Sequence, residues 1–181
     1  MPPQKSADTR AVKDRRALRF ESPDQALAEM DRLVAAERAG TLRTSGNWSL
    51  GQSLGHLAWW INGPFDGYPG LHKAPAIIRW ILTLSKKKYI WKQLPAGARI
   101  PGIPGGTLGI DPLTTDEGLA RVRAAWARLQ RDTPSHPTPI FGTLTHDEWI
   151  AINLRHAELH LGFFHAIPAR ETPAYHRQCP P

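Results

Sequence analysis

Residues 145–165, THDEWIAINLRHAELHLGFFH, are the stretch on which the fold turns. Thr145 with Glu148 three residues later is a capping box, in which each side chain satisfies the other's free backbone N–H at a helix start. Pro168 stops the helix that opens there, so the spacing predicts one helix running to about His165. At 100° per residue, Trp149, Ile152, His156, Leu159, His160 and Phe163 fall in one sector, which puts two histidines inside an apolar stripe. Arg155 and Glu158 fall on the other side, where an amphipathic helix keeps its charges in water. His156 and His160 are four apart, so both imidazoles point the same way and can meet one metal ion. The same spacing suits two core histidines that hydrogen-bond to separate partners, although burying two imidazoles side by side demands two sets of partners.

The rest of the chain is punctuated in the same manner. Ser22-Pro23-Asp24 reads as an N-cap with proline at the first helical position, and Leu27, Met30, Leu33 and Val34 recur at helical spacing until Gly40. A second capping box, Ser49 with Gln52, opens a helix with Leu50, Leu54, Leu57 and Ile61 on one face, which Asn62-Gly63-Pro64 should end. A further helix is expected from about Pro75 to Trp91, apolar through Leu84 and basic afterwards. Thr114 with Glu117 opens another, placing Leu119, Val122, Trp126 and Leu129 on one face until Thr133-Pro134 breaks it. Between these two lies a long loop, Leu94 to Leu113, rich in Pro and Gly, and a lid over a site is one reading of it. No segment shows period-two alternation bounded by hairpin turns. The expected fold is therefore all-α, a bundle of four main helices with extra short helices and a long Pro/Gly loop.

The 181 residues, 41% hydrophobic and 22% charged, suit a single soluble domain. Its expected limits are 18–167, with a disordered basic tail over 1–17 and a C-terminal tail over 168–181. A domain of this size buries about 70% of its unfolded surface and needs no disulfide or structural metal, so any metal it holds serves chemistry. The single cysteine, Cys179, excludes an intramolecular disulfide, a CxxC redox pair and a Cys-based zinc knuckle. It fits a reducing compartment, and the expected location is the cytoplasm. The longest apolar stretch, Ala74 to Leu84, carries Arg79 and falls short of the roughly 20 residues of a membrane span, so no transmembrane segment is expected.

Residues 71–100 hold Lys73, Arg79, Lys86, Lys87, Lys88, Lys92 and Arg99 and no acidic residue, within a chain of formal net charge +7. Such a local excess reads as a solvated helix end or as a surface for an anion or a membrane. Ile77, Ile78, Trp80, Ile81 and Leu84 beside the lysines fit an interfacial helix. Neither a helix-turn-helix signature nor an RNP-type aromatic strand accompanies the charge, and no nucleic acid partner is expected.

A catalytic divalent site generally takes three protein ligands. On the Ser49 helix the one candidate is His56, at the edge of the apolar stripe on the side of Ser53 and Trp60; a structural histidine at a helix interface is the other reading. His72, His136, His146 and His176 fall in predicted loops, caps or the tail and should face solvent, and His165, about 180° from His156, should miss the site. His156-Ala157-Glu158-Leu159-His160 is not a zincin motif, because its glutamate stands in the third position and faces away. Inward Glu-x-x-His pairs on two helices, as a di-iron bundle requires, are absent.

Asn47-Trp48-Ser49-Leu50-Gly51-Gln52-Ser53-Leu54-Gly55-His56-Leu57, then Phe141-Gly142-x-Leu144-Thr145 and the HxxxH of the last helix, together resemble the DinB-like superfamily, and most nearly one of its families of unknown function. The resemblance spans about Leu18 to Phe164. It implies a four-helix up-down-down-up bundle, often dimeric, in which one histidine of the second helix and two of a later helix bind a divalent metal, commonly zinc or nickel. Carried over, the metal ligands are His56, His156 and His160. Relatives often have a further histidine just before the last ligand, where this chain has Leu159, so a mechanism using an extra imidazole is not implied.

The function this resemblance implies is that of a metal-dependent enzyme of the thiol-transferase type. The metal would activate a low-molecular-weight thiol or water against a small-molecule substrate, in a homodimer. The sequence identifies no general base. The competing expectation is a non-catalytic metal-binding or dimerising helical module.

Overall fold

A computed structural model describes residues 8–71, 76–84, 86–99, 103, 106–139 and 141–167. Among them the chain is mostly helical: α1 (Pro23–Arg38), α2 (Leu50–Asp66), α3 (Ala76–Leu84), α4 (Lys86–Trp91), α5 (Thr115–Arg131) and α6 (His146–Leu161), with β1 (Leu42–Thr44) and β2 (Phe164–Ala166). The caps form where the sequence places them. Ser49, Thr114 and Thr145 each accept a hydrogen bond from the backbone N–H three residues on, and Gln52, Glu117 and Glu148 each accept one from the cap N–H.

Helix α2 packs along α5 and against α6, while α1 packs on α5, α6 and β2. The α2–α5 approach depends on glycine. A Cβ on Gly51 would lie 2.3 Å from the Leu113 carbonyl oxygen, and one on Gly118 would lie 2.7 Å from the Gly51 carbonyl oxygen. Around this crossing Leu54, Leu57, Ile61, Val122, Trp126 and Leu129 are at most 1% exposed. Burying each large aliphatic side chain contributes about 1.5–3 kcal/mol, which is what holds α2, the helix that carries His56, on α5.

Three expectations about the elements need correction. A small sheet exists: β1 and β2 pair antiparallel with Leu42 opposite Ala166 and Thr44 opposite Phe164. Three residues per strand are too few to display a period of two. Of the helix expected over 75–91, the described residues form Ala76–Leu84 and Lys86–Trp91, α3 and α4, and residue 85 lies outside them. Helix α2 runs through Gly63-Pro64 to Asp66 before Gly67 (φ 82°) ends it. Gly63 is a packing residue there, since a Cβ would lie 2.4 Å from the Tyr68 ring. Helix α6 ends at Leu161, because His165 is already in β2 opposite Arg43.

The largest correction concerns Arg155 and Glu158, which are 3% and 2% exposed rather than solvated. Glu158 Oε1 accepts the Phe20 N–H at 2.6 Å and pairs with Arg155 Nη2 at 2.8 Å, while Arg155 donates to the Phe20 carbonyl. The chain ahead of α1 thus covers the back of α6. Further upstream, the Arg16 N–H donates to the Gly162 carbonyl at 2.8 Å and its guanidinium pairs with Glu29. Residues 1–7 and 168–181, which include all of the expected C-terminal tail, lie outside the described residues.

Candidate metal centre

His56 projects from α2, and His156 and His160 project from successive turns of α6. The HxxxH spacing stacks the last two, and the α2–α6 packing brings the first to meet them. His56 Nε2 is 3.2 Å from His156 Nε2, and His156 Nε2 is 3.0 Å from His160 Nε2. The ring planes are inclined by 66–79° to one another, with centroids 4.6–5.0 Å apart. Three nitrogens therefore converge from three directions. Tetrahedral ligands about 2.0–2.1 Å from a zinc ion would stand about 3.3 Å apart, close to what the rings already show.

Proton placement points the same way. The carbonyl of Leu108 lies 2.7 Å from His56 Nδ1 and can only accept, so the imidazole proton sits on Nδ1 and Nε2 presents a lone pair. A backbone carbonyl is a common outer partner of a metal-binding histidine, fixing both tautomer and ring orientation. Burial pushes the His56 imidazole down to about 4, against the Leu108 hydrogen bond, which favours the protonated ring. Burial, and then the neighbouring imidazoles, push His156 and His160 well below the ordinary histidine value. All three are neutral at pH 7, the state in which imidazole binds a metal. The cluster can hold a metal ion, and it includes no carboxylate.

Aromatic rings wall the cluster. Trp48 stacks on His160, 9° from parallel at 5.1 Å, and lies 4.9 Å from the His56 ring. Trp60 meets His56 and His156 edge-on, and its buried Nε1 has no hydrogen-bond partner among the described residues. Tyr68 backs Trp59 and Trp60, and burial pushes its phenol up, keeping it neutral. Sequence reasoning gave Trp48 no place at the centre. Its place one residue ahead of the Ser49 cap, and so at the mouth of α2, was the available clue.

The Pro/Gly loop reaches the centre through Leu108, and meets the first turn of α2 through Ile110, whose carbonyl accepts from Gln52 Nε2 at 3.4 Å. The other described histidines stand apart from the triad. His165 faces Asp14 at 3.9 Å, and His136 is exposed. His146, expected in solvent, is half-buried and donates from Nε2 to the Leu129 carbonyl at 2.6 Å. His72 and His176 lie outside the described residues.

Neither a curated protein nor a solved structure matches the chain. A family model described as "Protein of unknown function (DUF1569)" matches residues 12–166, a span that takes in all three histidines, the Leu108 carbonyl and the Arg155–Glu158 pair, and the chain belongs to that family.

Proposed function

We propose that His56, His156 and His160 bind a divalent transition metal, zinc or nickel, and that the protein is a metal-dependent enzyme of the DinB-like thiol-transferase type. In this reading α1, α2, α5 and α6 are the four helices of an up-down-down-up bundle, and the protein works as a cytoplasmic homodimer. The observation that carries the proposal is the convergence of three neutral imidazole Nε2 atoms, one with its proton committed to the Leu108 carbonyl. Without a cation, His156 Nε2 offers either one proton or one lone pair, so it can make a directed hydrogen bond to only one of its two neighbours. With one, each has a partner.

When bound, the metal would lower the pKa of a thiol or water and so provide an anionic nucleophile near neutral pH. The chain's own residues do the rest. Trp48 and Trp60 hold the imidazoles by ring contacts, and in this reading the centre takes a small-molecule substrate. The Leu108 carbonyl keeps the proton off His56 Nε2. One observation favours the second reading, a non-catalytic metal-binding module: the cluster contains no carboxylate to act as general base.

Elemental analysis of untagged protein tests the centre. About one equivalent of a transition metal is expected in the wild type and none in His56→Ala or His156→Ala. A wild type that stays metal-free after reconstitution with zinc or nickel overturns the proposal. With metal present, screening thiol-dependent reactions with the wild type and His160→Ala separates the two readings. An enzyme loses turnover in the variant, whereas a structural site shows no turnover in either and loses thermal stability on chelation.

A further inference from the structure

The most exposed large apolar side chains of the described residues are gathered on α3, away from the metal centre. Ile77 is 63% exposed, Trp80 62%, Ile81 52% and Leu84 66%. At 100° per residue the four share one sector about 100° wide, so they form a continuous apolar face. Helix α3 precedes α4 in the chain, and Thr83 Oγ1 donates to the Phe141 carbonyl, but the described residues leave the apolar face exposed.

Helix α4, next in the chain, is anchored and charged. Ile90 is fully buried and Lys86 pairs with Glu148 of α6 at 2.9 Å. Lys87, Lys88 and Trp91 are exposed and share a sector of α4, and Lys92 is exposed just beyond it. Among the described residues none of these three exposed lysines is in an ion pair, and residues 71–100 contain no acidic residue at all. An apolar helical face is thus followed in the chain by positive charge that Glu148, paired with Lys86 and within electrostatic reach of Lys87, does not balance.

We propose that α3 and α4 form a docking surface for an anionic lipid bilayer. The Ile77, Trp80, Ile81 and Leu84 face enters the interfacial region while Lys87, Lys88 and Lys92 meet lipid phosphates. Charge selects this occupant. A second copy docked face to face would bring the same exposed lysines together, whereas an anionic leaflet supplies the opposite charge. Tryptophan is suited to the interface, where its ring is buried and its N–H stays wet. The two features together matter, because stable attachment takes an apolar anchor plus a basic patch. With nine residues, α3 spans about 13 Å and lies on the membrane; no described helix is long and apolar enough to cross one.

Co-sedimentation of the full chain with phosphatidylcholine vesicles, with and without phosphatidylserine, tests this. The wild type should partition onto the phosphatidylserine vesicles, weakly onto the neutral ones, and less as salt rises. Leu84→Glu should abolish partition. Each lysine near an anionic surface contributes about fivefold, so the double variant Lys87→Ala/Lys88→Ala should lower the partition constant about 25-fold. All these side chains are exposed, so both variants should melt like the wild type. Equal partition onto both vesicle types, or none onto the anionic ones, overturns the proposal. So does a homodimer that Leu84→Glu dissociates, which would seat a second copy on this face.

Discussion

Helix α6 carries polar side chains on two sides and treats them in opposite ways. On one side Arg155 and Glu158 are sealed by the backbone of Phe20, and the pair arrives already neutralised. On the other, His156 and His160 are half-buried and face a third imidazole across the α2–α6 contact. The first arrangement is closed, although Arg155 Nε and Nη1 and Glu158 Oε2 have no hydrogen-bond partner among the described residues. Such a pair fixes position more than it stabilises, since its desolvation offsets most of its attraction. The second is a set of neutral imidazoles whose Nε2 atoms converge within 3.0–3.2 Å of His156 Nε2. A helix can bury charge where the partner is part of the chain; the three imidazoles instead form a cluster that could hold an ion.

Removing one half of the closed pair should have the largest effect. Glu158→Ala leaves the Arg155 guanidinium buried without its counter-charge and takes away the acceptor of the Phe20 N–H, so a loss of about 3–5 kcal/mol is expected in urea unfolding. The metal content of the folded fraction should not change. A variant that lost metal in proportion to stability would show that the two sides of α6 are not independent.

Acid should break the other side. In chelator-treated protein, His56 has a folded pKa of about 4 against an ordinary value of 6.5. Between those values the unfolded chain binds a proton that the folded chain does not. Stability is therefore complete above about pH 6.5 and falls as the pH drops toward 4, by about 3 kcal/mol from this residue. His56→Phe should flatten that slope. Unchanged acid sensitivity in His56→Phe would move the effect to other groups.

Metal should reverse the asymmetry. With free metal held at about 100 times its dissociation constant, the folded state gains about 2.7 kcal/mol, read as a chelator-sensitive rise in Tm. The rise should vanish in His156→Ala and persist in Glu158→Gln. Equal loss in both would contradict the division between the two sides.

The histidine side was legible because its signals are local. Four-residue spacing on one helix and three capping boxes are patterns within a few residues, and each formed where the side chains indicate. The Arg155–Glu158 side was not, because the periodicity that sorts apolar from polar also sends every charged residue to solvent. What covers the pair is backbone at Phe20, 135 residues from Arg155 in the chain, and backbone has no residue-specific signature. The Leu108 carbonyl escaped for the same reason: a loop rich in Pro and Gly announces turns, not which carbonyl it will deliver. Pro64 misled because proline is destructive only where the lost N–H bond matters, and α2 continues just two residues past it.

The smallest expected effect is the one that shows whether stability and metal binding can be separated at all. Ser49→Ala removes the hydroxyl that caps the Gln52 N–H at 3.1 Å, at the start of the helix that carries His56. Loss of such a cap costs about 1 kcal/mol. His56 lies two turns inside α2, where Leu54 and Leu57 are buried against the core, so fraying of the first turn should not reach it. Ser49→Ala should therefore unfold at lower urea and still bind one equivalent of metal. If the cap variant lost metal as well, the position of His56 would depend on the whole helix being intact, and the imidazoles would be gathered by the bound ion rather than held ready for it.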